Sequence, residues 1–593
     1  MNNVAKLLAL VANTPEWEPR NQKRAAEGSS TSTPSEKKVS QATRLVNLAD
    51  DFELFHHGDD GYARIQVNGH WEVLPLRSSV FKRSLRQRYF TACGGAPSGQ
   101  AVQDAVGVLE GSALFQGEER TVHTRIAGYD GRIYLDLCSP DWQVIEVSSS
   151  GYKVLRQSPV MFRRSRAMQA LPLPVRDGSI DDLRPFLNLA GDDDWRLVTG
   201  WLIAGFRPTG PYSVLTLYGE HGSAKSTTAR VLRALIDPND APLRTTPRDA
   251  RDLMITATNG HVVAFDNLSR IEPWLSDAIC RLATGGGLST RTLYTDAEEY
   301  IFEAQRPVLI NGIDDLATRA DLLDRSLVVS LPRIADENRR SEHDFWRDFE
   351  QTKPSILGAL LAVVAAALHN LPETKLPELP RMADFALWVS AAEPAFGWKE
   401  GSFMAAYTGN RADANDTALE ASPIVTPLRA LLEHKDTWEG TPTELLAALE
   451  EHASEKVKEG RSWPRSPRAL SSALNRIAPN LRASGIAIER DRRHHGRKIT
   501  ITHEKSQDSS DTTDTSDTDG NNPPHRRDAN ELSVTQDGVP ASQNGRNHQA
   551  PNSAQIQQFQ TLGVGGDGRD AKIPALSPSD LDGLGDGDEW VVS

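Results

Sequence analysis

A lysine, a serine, an aspartate, an asparagine and an arginine, spread over about a hundred residues, carry the clearest chemistry in this sequence. Lys225 and Ser226 close a loop of mostly small residues, Gly219-Glu220-His221-Gly222-Ser223-Ala224-Lys225-Ser226-Thr227. An apolar run, Val214 to Tyr218, leads into it, and a helical pattern, Thr228 to Ile236, leaves it. Small residues between a strand and a helix let backbone N–H groups wrap a phosphate while the helix points its positive end at it. The spacing therefore predicts that residues 219–227 bind ATP. Lys225 would reach the β- and γ-phosphates, and the Ser226 hydroxyl would sit on Mg²⁺. Ala224 stands where a second glycine is usual and restricts the backbone there.

About 40 residues on, the β-branched run His261 to Phe265 ends in Asp266 and Asn267. An acid at that point can share the Mg²⁺ with Ser226. The glutamate that often follows, to polarise water, is Asn267, so hydrolysis would be slow or would use another acid such as Glu220 or Asp277. A third run, Arg306 to Ile310, ends in Asn311, which would position water or sense the γ-phosphate. Arg325 precedes a fourth, Ser326 to Leu331. Lys225, Asp266, Asn311 and Arg325 are the expected catalytic set. All four are expected at the C-terminal edge of a buried sheet, where ligands bind in open α/β folds.

The order Lys225-Ser226, Asp266, Asn311, Arg325 resembles that of superfamily 3 helicases, the AAA+-related ring ATPases of viruses, phages and plasmids. The look is that of the ATPase of phage and poxvirus-type primase-helicases, with a segment like Leu282 to Tyr294 between the second and third motifs. The pattern from Gly219 through Pro332 and on to Pro380-Arg-Met-Ala-Asp-Phe385 also resembles uncharacterised ATP-binding proteins of bacterial mobile elements. The resemblance implies a homo-oligomer, a hexameric ring, in which Arg325 reaches the γ-phosphate bound by its neighbour. It also implies a DNA-entry or collar role for a domain before the ATPase.

At 593 residues the chain is long enough for three or four domains. Three scattered cysteines, Cys93, Cys138 and Cys280, give neither a disulfide framework nor a zinc site and fit a reducing cytoplasm. The most apolar run, Ile356 to Leu368, is too short to span a bilayer, so no membrane is expected. The net charge of −14 argues against nucleic-acid binding only until it is divided: residues 504–593 hold sixteen acids against six Lys and Arg. The remainder is close to neutral, and DNA stays open as a partner.

These patterns predict a multi-domain chain. It comprises a disordered arm (1–45), an α+β pre-ATPase domain (46–180), an α/β P-loop ATPase core of AAA+-like type (181–335), a helical lid (336–420), a winged helix (421–503) and a disordered acidic tail (504–593). Alternating runs such as Val122 to Ala127, Arg132 to Leu137 and Trp142 to Val147 read as consecutive antiparallel strands. Asp136 is the one acid there that tempts a two-metal primase reading. It has no partner in sequence and is taken as structural.

In 421–503, helices over 424–432, 441–449 and 466–477 precede a hairpin, the order of a winged helix. Arg465, Arg468 and Arg476 would face DNA from the third helix, with Arg492, Arg493, Arg497 and Lys498 on the wing. The tail's end, Leu581 to Val592, sets apolar residues among acids and reads either as a solubilising end or as a docking peptide for a replication partner. Two functions follow. One is an ATP-dependent DNA helicase, or DNA-dependent ATPase, of a phage, plasmid or mobile-element replication module. The other is an ATP-switch regulator or defence protein that binds DNA without unwinding it. Against translocation, the region Tyr294 to Glu299, where a basic hairpin tip belongs, is acidic.

Overall fold

The computed structural model describes residues 39–291, 299–302, 304–312, 319–433, 435–460, 462–493 and 496–503. Most of the predicted arm, the acidic tail, most of the acidic stretch 294–299 and the histidine turn 494–495 lie outside these. The chain divides into two compact units, the first ending at Ala421 and the second beginning at Ser422.

The first unit starts earlier than the predicted arm allows: residues 41–47 form a helix. Helices α1 (Gln41–Asn47), α2 (Ser79–Cys93) and α3 (Gly99–Phe115) each open on a serine, Ser40, Ser78 and Ser98, whose side chain accepts from an amide of the first turn. They cover a sheet of β1 (Glu53–His57), β2 (Asp60–Val67), β3 (His70–Pro75) and β4 (Glu118–Glu119), ordered β3-β2-β1-β4. Leu45, Ile65, Phe81, Leu85, Val102 and Leu109 form its core.

A second sheet follows as an antiparallel meander: β6 (Ile126–Tyr129), β7 (Arg132–Asp136), β8 (Val144–Ser148) and β9 (Gly151–Leu155). Two short strands, β5 (Val122–His123) and β10 (Met161–Phe162), pair beside it. Asp130 and Gly131 both take positive φ in the β6–β7 turn, which matches the twist of a two-residue hairpin. No boundary at 180 separates this sheet from what comes next. Ile133, Leu135, Ile145 and Val147 share one apolar cluster with Trp195, Trp201, Leu217 and Leu360.

Helix α4 (Asp192–Ala204) leads into the parallel sheet. Its elements are β11 (Val214–Tyr218), α5 (Lys225–Ile236), α6 (Ala250–Asn259), β12 (Val263–Leu268), α7 (Pro273–Thr284), a hairpin of β13 (Leu288–Arg291) and β14 (Glu299–Phe302), β15 (Val308–Gly312), α8 (Ala320–Leu323) and β16 (Ser326–Ser330). The strand order is β12-β15-β11-β16, every pair parallel. Runs such as Val214-Leu-Thr-Leu and Val308-Leu-Ile are buried on both faces, as parallel strands between helices must be.

Helices α9 (Glu342–Asn370), α10 (Ala383–Phe396) and α11 (Ser402–Glu420) complete the unit. Among the described residues α9 is the one helix long and apolar enough to cross a membrane. Its Ile356, Leu357, Leu360, Leu361 and Val364 are buried in the shared core.

The second unit runs α12 (Val425–Glu433), β17 (Thr437–Gly440), α13 (Pro442–His452), α14 (Glu455–Glu459), α15 (Pro467–Ala483), β18 (Ile486–Arg493) and β19 (Gly496–His503). The strands form an antiparallel sheet ordered β17-β19-β18, one strand more than the hairpin expected. Thr441 and Glu444 close a reciprocal capping box at the start of α13. Leu428, Leu445, Leu449, Leu470, Leu474, Ile499 and Ile501 are buried.

Candidate functional site

The loop Gly219–Thr227 leaves the C-terminal end of β11, the middle of the parallel sheet. Gly219 has φ 150°, and a Cβ there would fall 2.5 Å from the Leu331 carbonyl oxygen, so only glycine fits. Gly222 has φ 80°. Ala224 is left-handed at φ 63°, ψ 26° and forms the N-cap of α5 without a side-chain bond to it. The first amides of α5 are therefore uncapped by side chains and turned toward the loop, the arrangement that favours an anion.

Lys225 Nζ donates to the Gly219 and Glu220 carbonyls at 2.7 and 2.8 Å. Burial lowers its pKa, opposed by the Asp266 carboxylate. Asn188, from the segment before α4, steadies the loop: its Nδ2 donates to the carbonyls of Ser223 and Pro332 at 3.1 and 2.6 Å.

Ser226 Oγ donates to Asp266 Oδ1 at 2.7 Å, which unites residues 40 positions apart. Asp266 sits where β12 bulges between Phe265 and Leu268, and Asn267 takes φ 53° there. The Asn267 amide donates to Asn311 Oδ1 at 2.8 Å. Asn311 is buried at the end of β15, and its Nδ2 finds no acceptor among the described residues. A buried amide nitrogen without a partner costs about 1–3 kcal/mol unless something else accepts from it. Lys225, Ser226, Asp266 and Asn311 thus gather at one sheet edge.

Their donors are a hydroxyl and a carboxylate, hard oxygens that suit Mg²⁺. Among the described residues no group of three or more His, Cys, Asp or Glu could hold a metal unaided. A cation here would take its remaining oxygens from a phosphate and water.

Arg325 departs from the expected arrangement. It precedes β16, and its carbonyl accepts from the amide of Val214, the first residue of β11. It therefore lies at the N-terminal edge of the sheet; five strand residues at about 3.3 Å each put it roughly 16 Å from its own loop. Its Nη1 donates to the Asp321 carbonyl at 2.7 Å and to the Asp321 carboxylate. Arg381 and Arg411 bind Asp321 and Asp324 alongside. Of the substitute acids, Glu220 is exposed on the loop, and Asp277 pairs with Arg319 at 3.0 Å.

Two features went unread in the sequence. The segment after β16 folds over the loop: the Ile334 amide donates to the Gly222 carbonyl, and a Cβ on Gly222 would lie 3.4 Å from Arg339 Nη2. Arg339 pairs at 3.1 Å with an exposed Asp336. The second feature is Asp237, which caps the far end of α5 and is wholly buried. It accepts from Arg125 Nε at 3.0 Å and from the amides of His261 and Val262 at 2.9 and 3.2 Å, with Arg233 Nη2 at 3.8 Å. Burial alone would push its carboxyl up, but the two guanidiniums hold it below the usual carboxylate range. One residue thus ties α5, the start of the Asp266 strand and the antiparallel sheet together. Asp136 is also structural: Arg164 binds both its carboxylate oxygens, at 2.6 and 2.9 Å.

In the second unit, Arg465, Arg468 and Arg476 are exposed along or just before α15. Lys498 is exposed and pairs with Glu439. Arg492 and Arg497 face each other across β18 and β19, and Arg493 is opposite Gly496. The side chains of Arg492, Arg493 and Arg497 lie outside the described residues.

Residues 180–417 match the family described as actinomycete integrative conjugative element replication protein, and residues 424–516 match its C-terminal domain. No curated protein matches the sequence. Among solved structures, an A-form apo structure of the NrS-1 C-terminal region is 12% identical, with a TM-score of 0.36, over 77% of this chain and 98% of that one. An apo structure of the same region gives 12% identity and a TM-score of 0.35, over 79% and 99%. The two matched regions follow one another in order, so the chain is similar, from residue 180 to residue 516, to the replication proteins of actinomycete integrative conjugative elements.

Proposed function

We propose that this protein is an ATP-dependent DNA helicase, or a DNA-dependent ATPase, that binds ATP and Mg²⁺ at Gly219–Thr227. The observation that carries the reading is the Ser226–Asp266 bond beneath an uncapped helix start. Mg²⁺, held by Ser226 and Asp266, would supply bridging and charge neutralisation on the phosphates. Lys225 exchanges the two carbonyls for β- and γ-phosphate oxygens. Asn311 Nδ2 donates to the attacking water or the γ-phosphate. Arg339 adds a cation in the same chain.

Arg325, too far from its own loop, serves a neighbour's, which requires a ring and its release from Asp321. In this reading the second unit is a winged helix: α12, α13 and α15 are its helices, the β18–β19 hairpin its wing, and Arg468 and Arg476 its contacts with phosphates.

One observation favours a second reading. Asn267 replaces the water-polarising acid, and its amide is already engaged by Asn311. A protein so built binds ATP, assembles and holds DNA without unwinding it. Strand displacement on a forked duplex with ATP separates the two. Displacement that Lys225→Ala abolishes supports the motor; ATP-dependent assembly without displacement supports the switch.

A further inference from the structure

Helix α2 is out of character with the chain that carries it. Its 15 residues include Lys82, Arg83, Arg86 and Arg88 and no acid, in a protein of net charge −14. It buries Phe81, Leu85 and Tyr89, spaced at i, i+4 and i+8, so the opposite face is turned outward. On that side lie Arg83, Arg86 and Phe90, at i, i+3 and i+7, with Lys82 on the flank. Phe90 is 55% exposed and Val80 44%.

Nearby acids are already taken by other arginines: Arg88 binds Asp51 at 2.6 Å and Arg77 binds Glu110 at 2.7 Å. Among the described residues Lys82, Arg83 and Arg86 have no ion pair. Three cations without ion pairs beside an exposed aromatic ring fit a polyanion that also offers flat rings.

We propose that the outer face of α2 binds single-stranded nucleic acid. Arg83, Arg86 and Lys82 contact successive phosphates, and Phe90 stacks on an unpaired base. The proposal uses none of the second unit's arginines and none of the residues of Gly219–Thr227. It rests on the family's role in replication and on charge complementarity, not on hydrolysis.

The test is fluorescence anisotropy of the full chain with labelled oligothymidine, without nucleotide, over a range of salt. In Lys82→Ala/Arg83→Ala/Arg86→Ala, three lost phosphate contacts should flatten the slope of log K against log salt by about 2. That corresponds to on the order of 100-fold weaker binding at 0.1 M. Phe90→Ala, which leaves the charge alone, should weaken the single strand on the order of tenfold and a duplex far less. It carries the test if the triple variant fails to fold. Unchanged affinity and slope in both variants would overturn the proposal. Tighter binding by the triple variant would overturn it too, and would assign the face to the chain's own acidic tail. Equal losses for duplex and single strand would overturn the single-strand assignment.

Discussion

Asp237→Asn perturbs the most tightly determined polar centre of the fold. The substitution keeps the shape and leaves one carbonyl oxygen to accept from the amides of His261 and Val262. It removes the carboxylate that two buried guanidiniums, Arg125 and Arg233, share, and turns an NH₂ group toward one of them. Breaking a buried pair from one side costs about 3–5 kcal/mol, because the remaining charge is left in low dielectric. For a cooperative unit of this size that lowers the melting temperature by roughly 4–6 °C. The assay is thermal unfolding followed by circular dichroism, with a double-mutant cycle. Arg125→Met in the Asp237→Asn background removes the stranded charge and should recover at least half of the loss. ATP affinity should fall with stability, since Asp237 fixes the end of α5 and the start of β12. A change within about 1 kcal/mol, or a double variant worse than the sum of its parts, would refute the reasoning.

Ala224→Gly should be neutral to stabilising. Relief of the left-handed alanine is worth about 1–2 kcal/mol, and the added freedom of the unfolded chain takes back about 0.4–1. Urea unfolding checks this, and a clear loss contradicts it. Arg339→Ala should weaken ATP binding about tenfold with the melting temperature unchanged, because the side chain is half exposed and its pair with Asp336 is solvated; titration with a fluorescent ATP analogue reads it.

Acid should destabilise the protein before its carboxylates titrate. Burial pushes His261 and His123 down to about 4 from an ordinary value of 6.5. Above that value both folded and unfolded chains carry them neutral. As pH falls from about 6.5 to about 4, the unfolded chain binds protons the native one refuses, at a cost of up to about 3 kcal/mol per histidine. Urea midpoints should therefore drop steadily across that window. A flat profile contradicts the burial argument.

Much of the site could be read from sequence because parallel strands write themselves as short apolar runs. The residue at each run's end then marks the sheet edge, as for Asp266 and Asn311, and the small-residue loop after Tyr218 marks the start of the next helix at Lys225 and Ser226. Arg325 shows the limit. It precedes its strand, and the parallel pairing of β16 with β11, Ser326 beside Val214, places it at the opposite edge. Asp237, Asn188 and Arg339 could not be found because the groups that give them their place, Arg125 and the His261 amide, the Ser223 and Pro332 carbonyls, and Gly222, are distant in sequence. Strand β17 was missed because four residues with one large apolar side chain carry no period. The boundary expected near 180 failed for a related reason: alternation identifies the meander β6–β9 but not what its inner face packs on, which is the core of α4 and α9.

ATP hydrolysis by the purified full chain, with and without single-stranded DNA, tests the central claim most directly. Turnover that DNA stimulates, and that is lost in both Lys225→Ala and Arg325→Ala, is the result the account predicts, because the first residue acts on its own loop and the second only on a neighbour's. Tight ATP binding with no turnover under any DNA condition would contradict the motor and leave the switch.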